Sequence, residues 1–170
     1  TFVSPHGVDR ELFATALECP IHEALTAIPG PRIGFVGTLR DWVDFELVAH
    51  IARARPQWSI VMFGRRFPDS PTTALEGLPN LHLIDPQPHG ALPSLFAGFD
   101  VGIIPYRAQT RMTYVNPLKL REYLAGGLPV VSTPLGEAAR YPGMCEVAHD
   151  RDAFVTAIER ALTRNSKAER

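Results

Sequence analysis

The sequence predicts an α/β fold: a doubly wound parallel sheet covered by helices on both faces. Three observations predict it. Short apolar runs of strand length, such as Ile33–Val36, Trp58–Phe63 and Val101–Ile104, recur along the chain. Stretches with helical spacing or helix-end signals alternate with them. Two of the runs end at a glycine, Gly37 and Gly64, the residue best suited to a sharp turn out of a strand. Sheets of this kind bind ligands beyond the carboxyl ends of their strands, at the switch point. The loops of interest are therefore 37–43, 64–67, 85–90 and 106–116.

Phe2–Ser4 reads as a short strand leading into Pro5–Asp9, and Asp9 can cap a helical turn over Arg10–Phe13. Residues 14–32 carry weaker signals, a short helix around His22–Ala27 and a turn at Pro29–Pro31. Ile33–Gly37 is the first confident strand. Asp44–Ala54 is an amphipathic helix, with Leu47, Ile51 and Ala54 on one buried stripe. Trp58–Phe63 and Leu81–Ile84 are strands, the latter after the turn Pro79–Asn80. Ala91–Phe99 is a short helix, Val101–Pro105 a buried strand and 106–115 a polar loop. Cys145–Ala148 and Asp150–Thr163 give the last strand and helix. One domain is expected over residues 1–165, with 166–170 as a frayed tail.

Asn116–Thr133, NPLKLREYLAGGLPVVST, carries the densest signal. Asn116 suits a helix N-cap and Pro117 the first helical position. Gly126–Gly127 suits the helix end, and Pro129–Thr133 reads as a buried strand. Lys119 and Glu122, three apart, share one helix face, while Leu120 and Leu124 share an apolar one. Free N–H groups at a helix start, a lysine in the first turn and a carboxylate one turn on suit a phosphate joined to a ribose. A solvated Lys/Glu couple on an ordinary surface helix has the same spacing.

Composition narrows the function classes. The chain has 170 residues, 45% of them hydrophobic, and a net charge of −1. That is enough for one buried core and argues against a general nucleic-acid or membrane-surface role. Cys19 and Cys145 lie far apart, and the six histidines show no metal-ligand spacing, so neither a disulfide framework nor a metal site is expected. The cysteines read as reduced thiols of a cytoplasmic protein. No stretch approaches the roughly 20 apolar residues of a membrane span. The chain opens at Thr1 as if in mid-protein.

KLREYLAGGLPVV resembles the donor-binding signature of GT-B glycosyltransferases, especially the family 4-like bacterial enzymes, which read K-L-x-E-Y-L-A-x-G-x-P-V-V. Pro5–His6–Gly7–Val8–Asp9 resembles the segment that opens their second Rossmann-like domain, with His6 in an asparagine position. The resemblance runs from Gly7 to the last helix. It implies the C-terminal, donor-binding half of a GT-B fold, transferring sugar from a nucleotide-diphospho-sugar, most simply a UDP-sugar, to an acceptor hydroxyl in polysaccharide or glycolipid synthesis.

The resemblance also implies site roles. Glu122 would bind ribose hydroxyls, and Lys119 would lie near the diphosphate. The loop at Gly37 would lie against the diphosphate, with Arg40 as its remaining cation, since Trp42–Asp44 stand where the family has a lysine. Gly64 and Arg65 would face an anionic donor, with Arg66 beside them, against the alternative of a solvated pair. Pro86–His89 would hold the nucleobase. The family's E-x7-E pair is incomplete, because Tyr114 stands eight residues before Glu122. Tyr114, Asn116 or the Arg107–Arg111 region would then meet the sugar, and the stereochemical class stays open. No cofactor is implied, because the donor is a substrate. The implied partner is an N-terminal acceptor domain of the same protein, through which alone any peripheral membrane association would come. This half alone is expected to be inactive.

Competing readings are a sugar-nucleotide epimerase of the same double-Rossmann build and a non-catalytic nucleotide-binding module. A phosphoacceptor receiver domain is excluded: the first strand ends in Gly37 and Ile103–Ile104 ends in Pro105, where acidic residues would be needed.

Overall fold

The computed structural model describes residues 7–107 and 116–164. The expected strand Phe2–Ser4, His6, Arg111, Tyr114 and the tail from 165 lie outside the described residues.

Six strands form one sheet in the order β3-β2-β1-β4-β5-β6, and every pair is parallel. They are β1 (Arg32–Val36), β2 (Ser59–Phe63), β3 (Leu81–Ile84), β4 (Val101–Ile104), β5 (Val130–Ser132) and β6 (Cys145–Val147). The order reverses between β1 and β4, which pair through Ile33–Val101 and Gly34–Gly102. That boundary is the switch point of a doubly wound sheet. β2 and β4 are buried along their whole length, which is why they read as unbroken apolar runs rather than alternating ones.

The helices are α1 (Arg10–Ala14), α2 (Glu23–Thr26), α3 (Phe45–Ala54), α4 (Leu92–Gly98), α5 (Leu118–Ala125) and α6 (Arg151–Arg164). Asp9, Asp44 and Asp150 cap their helices through backbone N–H groups of Leu12, Leu47 and Ala153. The buried stripe of α3 is wider than expected: Phe45, Val48, Ala49 and Ala52 join Leu47 and Ile51, and Ala54 is only half-buried. α3 is covered on a second side by α6, with His50 reaching Asp152 at 2.9 Å and Arg55 reaching Glu159. Both cysteines are free, and burial pushes the Cys145 thiol up to about 12.

Two expectations for the 116–133 stretch are corrected. Asn116 is not the N-cap of α5. Pro117 holds that position with φ −71° and ψ 117°, makes no side-chain cap, and is buried. A proline φ suits the cap and the first helical residue equally; the extended ψ separates them. The apolar face of α5 is Leu120 with Tyr123, both fully buried, while Leu124 is half-buried. The sheet side offers space for an aromatic ring there, because Gly102 of β4 has no side chain and the Tyr123 ring lies over it.

Candidate donor site at the switch point

β1 and β2 end against each other. The Gly37 N–H donates to the Phe63 carbonyl at 2.9 Å, and Gly37 has φ +152°. A methyl group on Gly64 would lie 1.8 Å from the Gly37 carbonyl oxygen. Gly64 is thus required by backbone packing and Gly37 by its positive φ. The loop after β1 is then stitched to its neighbours: Leu39 bridges Arg66 on one side and Val43 bridges Tyr106 on the other.

α5 delivers four polar or aromatic residues, Lys119, Arg121, Glu122 and Tyr123, to four different places. Lys119 runs to the β1 turn, so that a methyl group on Gly37 would stand 3.0 Å from both its Cε and Nζ. Its ammonium donates to the Tyr106 hydroxyl at 2.5 Å and lies 5.0 and 5.3 Å from the ring centroids of Tyr106 and Phe35. Arg121 turns the other way and pairs with buried Glu137 at 2.5 Å. Glu122 is only 8% exposed, with Oε1 3.5 Å from the His89 Nε2. Tyr123 enters the core and accepts the Val36 N–H through its hydroxyl at 2.8 Å.

Burial raises the Glu122 carboxyl above its ordinary range, against the opposing pull of His89 and, less strongly, of the Lys119 charge. A carboxylate placed inward without a full complement of donors has acceptor capacity left for a ligand. The solvated-couple alternative for Lys119 and Glu122 is thereby overturned: neither is an exposed side chain, and each already faces a group from another loop. The reason is α5's position over the ends of the central strands β1 and β4, which spacing along a single helix cannot reveal.

His89 opens a 3-10 turn, His89–Ala91, that leads into α4; its ring stands edge-on to Phe13 of α1 at 5.5 Å. Gly37, Gly64 and Lys119 are brought together at one turn, and His89 and Glu122 at another contact. Arg40 and Arg65 gather elsewhere, 4.5 and 4.9 Å from the centroid of the Phe67 ring, and Arg40 also bonds Asp69 at 3.0 Å. Arg65 and Arg66 are exposed. Asn116 keeps its Oδ1 enclosed and, among the described residues, without a hydrogen-bond partner. Sequence reasoning missed Phe35, Tyr106 and Tyr123. An aromatic directly after Pro105, at the carboxyl end of β4, was the available signal for Tyr106.

Strand order and switch point define a doubly wound, Rossmann-like nucleotide-binding type of domain. The chain belongs to the family described as glycosyl transferases group 1, whose profile matches residues 30–164. It is 30% identical over 167 residues to TuaH of Bacillus subtilis (strain 168), a proposed teichuronic acid biosynthesis glycosyltransferase, covering 94% of this chain and 42% of that protein.

Among solved structures, the α,α-trehalose 6-phosphate synthase of Burkholderia multivorans superposes with a TM-score of 0.70 at 17% identity, covering 98% of this chain and 43% of the other. Anabaena Alr3699/HepE, in complex with UDP-glucose, superposes with a TM-score of 0.69 at 17% identity, covering 95% and 47%. These likenesses show the fold. The chain spans less than half the length of each of these relatives.

Proposed function

We propose that this chain is the C-terminal, donor-binding half of a glycosyltransferase, a single domain over residues 1–165. The whole protein would move a sugar from a nucleotide-diphospho-sugar to an acceptor hydroxyl, in polysaccharide or glycolipid synthesis. Family membership supports the reaction class, and the name of the Bacillus relative supports a polysaccharide product. The Anabaena protein of the same fold is described in complexes with UDP-glucose and with UDP, which supports a UDP-sugar donor.

The observation that carries the reading is the buried Glu122 carboxylate, one helical turn from a lysine held at the β1 turn. Glu122 accepts bonds from ribose hydroxyls. Lys119 and the α5 N-terminus meet the diphosphate and stabilise its charge as it leaves. The 85–90 loop, with His89, lies beside Glu122 and holds the base. Tyr114, Asn116 or the Arg107–Arg111 region meets the sugar. Gly37 gives the diphosphate close backbone approach, and Arg40 and Arg65 add charge at the rim once Arg40 leaves Asp69. The donor is a substrate, and no cofactor takes part. The acceptor is presented by an N-terminal domain, so that this chain alone binds donor without transferring it. The location is cytoplasmic; among the described residues no helix is long and apolar enough to cross a membrane.

Ligand-observed NMR with UDP, GDP, ADP and their sugars tests the reading, followed by calorimetry on two variants. Glu122→Gln should weaken UDP more than its 2′-deoxy analogue, by roughly 1.5–3 kcal/mol for each charge-assisted bond lost. Lys119→Ala should weaken both diphosphates equally, with a share that shrinks as salt is added. Parent-like binding by both variants would remove the donor site from α5.

A further inference from the structure

The geometry points to Tyr106 as the positioning residue that fixes the Lys119 charge for the diphosphate; this rests on the donor-site reading above. Lysine carries its ammonium on a flexible four-carbon stem, so a lysine at a sheet edge is ordinarily a diffuse charge. Lys119 is not diffuse. Its Nζ is bonded to the Tyr106 hydroxyl, lies near the Tyr106 and Phe35 rings, and stands 3.0 Å from where a Cβ on Gly37 would be.

Tyr106 can do this because it is itself immobilised. It is 5% exposed. Its strand end is tied on both sides to the loop after β1: the Asp44 N–H donates to the Pro105 carbonyl at 2.7 Å, and the Arg107 N–H donates to the Trp42 carbonyl at 2.8 Å. Val43 and Tyr106 form an antiparallel bridge between these two bonds. The hydroxyl therefore belongs to the rigid rim of β4, while the ammonium it holds comes from α5 across the switch point.

The consequence is preorganisation. A charge already confined beside the β1 turn loses little freedom when a diphosphate arrives. Phe35 and the Tyr106 ring add cation–π attraction to the ammonium without neutralising its charge, as a carboxylate partner would.

The test is a double-mutant cycle on this chain, read by calorimetry with UDP and with uridine. Tyr106→Phe keeps the ring and its volume and removes only the hydroxyl. It should weaken UDP by about fivefold, the worth of one hydrogen bond, and leave uridine within about twofold. In a Lys119→Ala background the same change should have no further effect on UDP. Thermal midpoints of both variants check that the rim is intact.

UDP binding by Tyr106→Phe within about twofold of the parent overturns the inference. So does equal weakening of UDP and uridine, which marks a merely structural residue, and so does an undiminished effect in the Lys119→Ala background. If Lys119→Ala itself binds UDP like the parent, the donor-site reading fails first and this inference falls with it. If Lys119→Ala weakens UDP but Tyr106→Phe does not, only the role of Tyr106 is lost.

Discussion

The Tyr123 hydroxyl accepts the Val36 N–H at 2.8 Å, joining the middle of α5 to the last residue of β1. Tyr123 is fully buried, and burial holds its phenol well above the ordinary tyrosine range, so it stays protonated. The bond fixes the helix that carries Lys119 and Glu122 relative to the glycine turn that begins one residue after Val36. Positioning of the site is therefore partly a core property.

Tyr123→Phe should leave the Val36 N–H unpaired and cost about 1–3 kcal/mol of stability. Urea denaturation measures the loss, and hydrogen exchange locates it: the Val36 amide should exchange faster than its neighbours in β1. Unchanged protection of that amide would place the bond's importance elsewhere.

Glu137 is buried with Arg121 and also bonds Arg140 at 3.2 Å. Burial alone would raise its carboxyl; the bonds and charges of Arg140 and Arg121 outweigh this and hold it below the ordinary value of 4.5. A depressed folded value means the pair's stabilisation is present above pH 4.5 and is lost as pH falls through the folded value. Glu137→Ala should cost about 3 kcal/mol at neutral pH. In acid the parent should converge on the variant, as urea midpoints measured from pH 7 downward would show.

Glu122 has the opposite sign. Its carboxyl is raised in the folded state, chiefly by burial, so its ionised form opposes folding at neutral pH. Glu122→Gln should therefore be more stable than the parent above the folded value. The difference should vanish as pH falls below the ordinary 4.5, where both carry a neutral group. A variant that melts lower than the parent at pH 7 would contradict this. The expected pattern, stability gained and ribonucleotide binding lost, is the trade-off typical of a binding site.

Gly64→Ala should be severe. The added methyl would stand 1.8 Å from the Gly37 carbonyl oxygen, and backbone cannot yield as a flexible side chain can. A loss of about 3 kcal/mol is expected, with weaker UDP binding because the Gly37 turn must shift. Gly90→Ala is the control. A methyl there meets nothing within 4 Å and should change the thermal midpoint little.

The fold was legible in the sequence because its strands are buried on both faces and its helices carry local punctuation. Apolar runs ending at Gly37 and Gly64 marked β1 and β2, and Asp9, Asp44 and Asp150 marked helix starts that need only neighbouring N–H groups. The spacing of Lys119 and Glu122 put them on one helix face for the same reason, and the family resemblance of the wording around them made that helix the candidate site. Which way those side chains turn was not local. Whether Glu122 is solvated or buried, whether Arg40 faces a ligand or Asp69, and whether Pro117 caps or begins α5 depend on residues at other strand ends. Tyr106 and Tyr123 likewise acquire their roles only when β4 is laid beside β1 and α5 is set on Gly102. Periodicity fixes which residues share an element; the approach of separate elements, through glycines that admit close contact, decides which charges meet.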